Sequence, residues 1–239
     1  MGPLVSVALE GLLALLAPPR CAGCDAAVRL LAVFCPSCAS TAVRITDAGP
    51  GLPAAALIYG GAVARAIGRM KYEDRPDLAR PLGDLLWRAL QPHAEGLRGV
   101  VVVPVPLHVT RLVERGFNQS ALLAGPLAAR LGAPFRPGTL ARTRATGQQA
   151  ALDRAGRITN VAGAFSVRRA GSVRGREVLL VDDVTTTGAT LDACEQALAD
   201  AGAARVQRIA LASAPQRVEE AVKDRQALRA AREYHAAHP

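Results

Sequence analysis

The stretch Val178-Leu179-Leu180-Val181-Asp182-Asp183-Val184-Thr185-Thr186-Thr187-Gly188-Ala189-Thr190-Leu191 limits what this chain can fold into more than any other. Four β-favouring apolar residues in a row predict a strand buried on both faces, as in a parallel sheet covered by helices. Two carboxylates follow at the strand's expected carboxyl end, where open α/β sheets hold their ligands. A turn of threonines and glycine then opens a helix with Leu191, Cys194, Leu198 and Ala201 on one face. Such a turn offers unpaired backbone N–H groups and the positive end of the helix dipole, which suit a phosphate. The hydroxyls of Thr186, Thr187 and Thr190 can add donors. Asp182 and Asp183 would repel that phosphate, so they are expected to face the vicinal hydroxyls of a ribose or a magnesium ion bound to them. Carboxylates for sugar beside amides for phosphate predict a ribose 5-phosphate site. The plainer alternative is an ordinary strand, turn and helix with an acidic rim.

From the strand through Asp182-Asp183-Val184-Thr185-Thr186-Thr187-Gly188-Ala189-Thr190, the chain resembles the phosphoribosyl-diphosphate (PRPP) motif of type I phosphoribosyltransferases. The resemblance implies that Asp182, Asp183, Thr185, Thr186, Thr187, Gly188, Ala189 and Thr190 bind PRPP together with Mg2+. It also implies the type I fold, a parallel sheet flanked by helices.

With 239 residues, the chain can hold one core domain and a small module. Half the residues are hydrophobic and only 3% aromatic, so the core must be built from Ala, Leu and Val. A net charge of +9 suits an anionic partner, but the basic residues are scattered arginines with no interleaved aromatics. Met1 to Ala17 includes the apolar run Gly11-Leu12-Leu13-Ala14-Leu15-Leu16. It lacks the positive start of a signal peptide, carries Glu10 and is too short to span a bilayer. A short helix packed on the neighbouring module, no membrane insertion and a cytoplasmic protein are expected.

Cys21-Ala22-Gly23-Cys24 and Cys35-Pro36-Ser37-Cys38 form two C-x-x-C knuckles with ten residues between them. Two knuckles supply four thiolates to a tetrahedral metal, for which zinc is the default, and Cys21, Cys24, Cys35 and Cys38 are the predicted ligands of a closed structural site. Two disulfides are the alternative, disfavoured in a reducing compartment. Cys194, alone on an apolar helix face, reads as an inert core residue.

Further along, Ala54 to Tyr59 predicts a strand, and Gly60-Gly61 a turn into a helix carrying Ile67, Met70 and Lys71. Lys71 to Pro76 reads as a charged loop in which Lys71 and Arg75 are either candidates for an anion or plain solvated charges. A helix from Asp77 to about Leu90 carries Leu78, Leu82, Leu85 and Leu86, with Trp87 for packing. Val100 to Val103 is the next buried strand, followed by a loop with Arg111, Arg115, Gly116, Phe117 and Asn118 that leads into a helix reaching Leu131. A second anion, such as a diphosphate, fits there: Arg115 is a permanent cation and Gly116 an unobstructed backbone. Arg111, Arg115, Gly116 and Lys71 are therefore the diphosphate candidates, and no catalytic residue is assigned. The polar segment from Arg142 through Gln148, Arg154, Arg157 and Asn160 is either a mobile hood that excludes water or a plain surface connection. Ala164 to Val167 and Val206 to Leu211 complete the strands.

The whole order resembles the ComF-type competence proteins. The resemblance is carried by the four cysteines, Met70-Lys71-Tyr72, Val103-Pro104-Val105-Pro106-Leu107, Arg115-Gly116-Phe117-Asn118-Gln119, Arg142-Thr143-Arg144 with Gln148 and Asn160, and the PRPP stretch. It implies a zinc-ribbon-like module over residues 1–45 and a phosphoribosyltransferase-like domain over residues 50–215. A charged helical extension over residues 216–239 passes the usual end. The family implies a role in uptake of transforming DNA, with single-stranded DNA and a helicase as partners. Two function classes follow: an enzyme transferring a phosphoribosyl group to an acceptor, or a non-catalytic PRPP- or nucleotide-binding scaffold. Thr186 stands where the purine-salvage enzymes of the broader class place an Asp, which points away from transfer to a purine. Only Arg20 and Arg29 lie next to or between the two knuckles, which favours a structural or partner-binding role over a nucleic-acid ribbon.

Overall fold

The computed structural model describes residues 18–45, 52–144 and 163–215. The expected N-terminal helix, the hood residues Gln148, Arg154, Arg157 and Asn160, and the extension over residues 216–239 lie outside the described residues.

Four apolar runs form one fully parallel sheet: β1 (Ala55–Ile58), β2 (Val101–Pro104), β5 (Glu177–Thr185) and β6 (Arg205–Ser213), in the order β1-β6-β5-β2. A separate antiparallel pair, β3 (Leu140–Arg142) and β4 (Phe165–Val167), stands beside it. Six helices are described: α1 (Pro36–Ala39), α2 (Gly61–Tyr72), α3 (Ala79–Leu90), α4 (Val109–Arg115), α5 (Gln119–Leu131) and α6 (Ala189–Asp200). No helix among the described residues is long and apolar enough to cross a membrane.

Side chains alternate across a strand, and β5 uses both faces. Leu179 and Val181 pack with α2, α3 and α5, whereas Val178 and Leu180 pack with α6, including its buried Leu191, Cys194 and Leu198. Burial pushes the Cys194 thiol well above its ordinary range, in keeping with an inert core residue. The chain thus leaves β2 toward one face, through α5, and β5 toward the other, through α6. Open parallel sheets bind their ligands in the crevice where two neighbouring strands part in this way, at their carboxyl ends.

Two expectations are corrected. β5 does not stop before the acidic pair, because ladder pairing with β6 continues through Asp182↔Ala210, Val184↔Ala212 and Thr185↔Ser213. The Arg111–Arg115 segment is helix α4, not loop. The Asn118 side chain caps α5 by accepting the Ser120 and Ala121 N–H groups, while left-handed Gly116 (φ 79°) ends α4. The guanidinium of Arg75 is held by Asp77 and Asp25 at 2.8 and 3.1 Å.

The cysteine-bearing segment is docked on α2. Residues Val43 and Ile45 exchange backbone hydrogen bonds with Ile58 and Ala56, covering the open edge of β1. Gly61 has φ +49°, and a Cβ there would stand 2.7 Å from Thr41 Cβ, so only glycine fits this approach.

Candidate functional site

Asp182 and Asp183 are the sixth and seventh residues of β5, toward its carboxyl end, and are 6% and 3% exposed. Asp182 Oδ1 accepts the Ser120 hydroxyl at 2.9 Å and the Asp183 backbone N–H at 2.9 Å. Asp183 forms an ion pair with Lys71, from the last turn of α2, and accepts from Gln119 Nε2 at 3.4 Å. Ser120 and Gln119 occupy the first turn of α5, whose N-terminal dipole favours negative charge. Burial, then the charge of Asp183, pushes the Asp182 carboxyl up to about 7 against the Asp183 N–H, Lys71 and Ser120. Burial opposes the Lys71 charge, but the two carboxylates outweigh it and raise the ammonium above its ordinary value.

Beyond the pair, Thr185 is buried and its hydroxyl has no hydrogen-bond partner; Thr186, Thr187 and Thr190 are half-buried. Gly188 takes φ 87° and caps α6, which begins at Ala189. Thr187 Oγ1 accepts the Ala189 N–H at 3.4 Å. A 12-residue helix therefore opens from a left-handed glycine bend beside the acidic pair, and its first N–H groups have no intrahelical acceptors.

The diphosphate candidates are distributed unevenly. Lys71 belongs to the acidic pair itself. Arg115 donates to Gln119 Oε1 at 2.5 Å and lies 5.5 Å over the ring of Tyr72, which is 76% exposed. Gly116 ends α4 immediately after Arg115. Arg111 stands apart in an exposed ion pair with Glu114 at 2.9 Å. A closed chain of contacts results: Lys71, Asp183, Gln119, Arg115 and Tyr72, the last adjacent in sequence to Lys71. Gln119, Ser120 and Tyr72 were not among the predicted site residues. The signal for the first two was an Asn cap followed by two polar residues after a buried strand.

Cys21, Cys24, Cys35 and Cys38 carry Sγ atoms that all lie within 4.8 Å of one another, with Cys24 and Cys35 at 3.6 Å. Four sulfurs each about 2.3 Å from a tetrahedral metal would be about 3.8 Å apart, whereas a disulfide would need about 2.0 Å. All four are free thiols, so the geometry suits a metal such as zinc rather than the disulfide alternative. Burial resists ionisation of Cys21, but the N–H groups of Cys35, Gly23 and Cys24 bring its thiol down to about 6. Cys24 accepts from the Ala26 N–H, yet its neighbours Cys21, Cys35 and Cys38 outweigh that and push it up to about 12. Crowded thiols resist ionising together, and a bound divalent cation would reverse that resistance.

The signature of the phosphoribosyl transferase domain matches residues 118–229. The DNA utilization protein YhgH of Escherichia coli (strain K12) is 33% identical over 200 residues, covering 78% of this chain and 87% of the relative. Competence protein F of Haemophilus influenzae is 33% identical over 153 residues, covering 62% of this chain and 66% of the relative. The chain belongs to the ComF family. Its parallel sheet with flanking helices is the type I phosphoribosyltransferase-like fold of that family, joined to a four-cysteine centre that could hold zinc. A solved glutamine PRPP amidotransferase from B. subtilis, complexed with ADP and GMP, is 25% identical over 60% of this chain and 30% of its own, at a TM-score of 0.39. So low a score adds nothing to the ComF assignment.

Proposed function

We propose that this ComF-family protein binds PRPP, with its Mg2+, in the crevice at the carboxyl ends of β2 and β5. One observation carries the reading. A buried pair of carboxylates, one of them met by a lysine, adjoins a glycine bend that opens a long helix. On this reading the ribose hydroxyls donate to Asp182 and Asp183, and the 5-phosphate sits on Thr185, Thr186, Thr187, Gly188, Ala189 and Thr190. The diphosphate lies toward Lys71, Arg115 and Gly116. Arg111 can join only by leaving Glu114. The magnesium ion, whose preference for oxygen donors fits two carboxylates, would offset charge on the diphosphate.

Transfer would break the bond between the anomeric carbon and the diphosphate oxygen while an acceptor forms its bond to that carbon. The protein's part is to hold the sugar by its hydroxyls and to stabilise the departing anion with Lys71 and Arg115. The acidic pair, the bend and the cysteine centre would serve one polypeptide in the cytoplasm, with residues 50–215 binding ligand and residues 1–45 forming the metal module.

A second reading is favoured by Thr186, which leaves the bend without a carboxylate to take an acceptor's proton. In it the same pocket holds PRPP or a nucleotide without turnover, and the protein acts as a scaffold in DNA uptake, meeting single-stranded DNA or a helicase partner. The names of the relatives, DNA utilization and competence, support a link to DNA on either reading.

Calorimetric titration with PRPP and Mg2+ tests the shared part, with the Asp182→Asn, Asp183→Asn double variant as control. Binding by the wild type and its loss in the variant are expected; equal binding by both removes the proposal. Diphosphate release from PRPP with any acceptor selects the enzyme. Binding without release, together with salt-dependent retention of single-stranded DNA, selects the scaffold.

A further inference from the structure

Helix α2 touches the cysteine centre and the acidic pair at once. Its first turn is capped from the module, where Thr41 Oγ1 accepts the Ala62 N–H at 3.0 Å. Along its flank, Arg65 donates to the Gly23 carbonyl at 3.3 Å and to the Cys38 sulfur at 3.6 Å. One turn later Arg69 donates to the Cys21 and Ala22 carbonyls at 3.3 and 3.2 Å. Asp25, left-handed at φ 66° and next to Cys24, holds Arg69 at 3.0 Å and Arg75, beyond the helix end, at 3.1 Å. The last turn of the same helix then delivers Lys71 to Asp183 and Tyr72 to Arg115.

Every one of these module contacts comes from the knuckle loops or the turn after them. Such loops have a fixed shape only while their four sulfurs share a centre, since metal binding supplies most of the folding free energy of so short a segment. A helix is stiff along its length, so what grips its start and flank also sets where its last turn stands.

We infer that the four-cysteine module is a metal-dependent clamp on α2 that positions Lys71 against the acidic pair, so that ligand affinity at the crevice depends on the metal state of the cysteines. Arg65, Arg69 and Arg75 are positioning residues in this device, each reaching from α2 or its end to the module. If Lys71 is released, Asp182 and Asp183 face each other without their nearest cation. Asp182, without the Lys71 charge that favours its ionised form, then holds its proton more tightly and no longer serves as a charged acceptor for a ribose hydroxyl. The inference rests on the reading of the crevice as a PRPP site.

The test uses full-length, zinc-loaded protein and PRPP with Mg2+ in a calorimeter. Asp25→Asn is the chosen variant because Asn tolerates the left-handed backbone while losing the charge that holds both arginines. It should keep its zinc and bind PRPP about fivefold or more weakly, the low end of ordinary coupling between sites. Arg69→Gln, which leaves the knuckles untouched, should do the same. In a Lys71→Gln background, itself weakened, Asp25→Asn should add no further loss, because its effect acts through Lys71. Wild-type affinity in zinc-loaded Asp25→Asn, or an equal further loss on top of Lys71→Gln, overturns the clamp. Hydrogen exchange gives an answer that needs neither PRPP nor the lysine variant. Amides 68–72 should exchange about fivefold faster in Asp25→Asn, with amides 191–198 unchanged, and equal rates in both proteins overturn the clamp. A wild type that fails to bind PRPP sinks the reading of the crevice instead, and the exchange comparison then decides the clamp alone.

Discussion

Replacing Asp182 by Asn should stabilise the protein at alkaline pH while weakening its hold on a phosphoribosyl ligand. The carboxyl is 6% exposed and is pushed up to about 7 by burial and by Asp183. Set against 3.8 for an ordinary Asp, and at about 1.36 kcal/mol per pH unit, its ionised form carries a penalty of about 4 kcal/mol. Between those two pH values the native state binds more protons than the unfolded chain. The favourable contribution is therefore fully present below about 4 and is lost as pH rises through about 7. Asn does not titrate, and its carbonyl oxygen can still accept from Ser120 Oγ and the Asp183 N–H. Urea unfolding of both proteins from about pH 4 to about pH 8 cancels the titration of groups that do not interact with Asp182. The variant's advantage should grow from near zero to about 2–4 kcal/mol across that window. A difference that stays flat with pH, or a variant less stable than wild type near pH 8, would refute the electrostatic account of the crevice. Calorimetry on the same samples should show weaker binding of PRPP with Mg2+, a gain in stability matched by a loss of function.

Three further outcomes are expected. Ser120→Ala removes a hydrogen bond to a buried carboxylate; PRPP affinity should fall about tenfold and the Asp182 titration should move to higher pH, both readable by calorimetry across pH. Stripping metal with a strong chelator should unfold the cysteine module, seen as fast modification of four thiols that were protected in the loaded protein while Cys194 stays buried; slow modification after stripping would show a module that needs no metal. Gly61→Ala should lower stability by about 2 kcal/mol or more, because the new methyl meets Thr41 from a left-handed backbone; an unchanged thermal midpoint would contradict that close approach.

The acidic pair and the glycine bend were legible because they are local: one strand, one turn and one helix within fourteen consecutive residues. The partners of that pair were not, because they come from far along the chain. Ser120 and Gln119 lie 62 and 64 residues from the carboxylates they touch. Lys71 was a candidate only by its charge, and the same criterion picked Arg75 and Arg111. Charge alone does not say where a side chain is held. Arg75 is caught by Asp25 and Asp77, and Arg111 by Glu114 three residues on. That last pairing requires a helix, and the break between α4 and α5 carried readable signals, Gly116 as a left-handed stop and Asn118 as a cap. The knuckle spacing foretold the cysteine cluster, but nothing local could foretell its docking on α2, which depends on carbonyl groups that every residue possesses.

Two adjacent acids inside a parallel sheet are an expensive arrangement for a fold to keep. Lys71 meets Asp183 directly, while Asp182 has a hydroxyl and a backbone amide, and these do not bring its carboxyl back to the ordinary range. A purely structural role would be served as well by Asn, which makes the same hydrogen bonds without the charge. A carboxylate held at such a cost at the carboxyl edge of a sheet is the mark of a site shaped for something that arrives, and strongly perturbed groups cluster at such sites. On the proposed reading, sugar hydroxyls and the cation accompanying the diphosphate bring what Asp182 needs, so ligand binding near neutral pH should release a proton. Titrations in buffers of different ionisation enthalpy measure that release directly. Uptake of close to one proton per ligand, or none at any pH between about 5 and about 8, would show that Asp182 does not face the ligand.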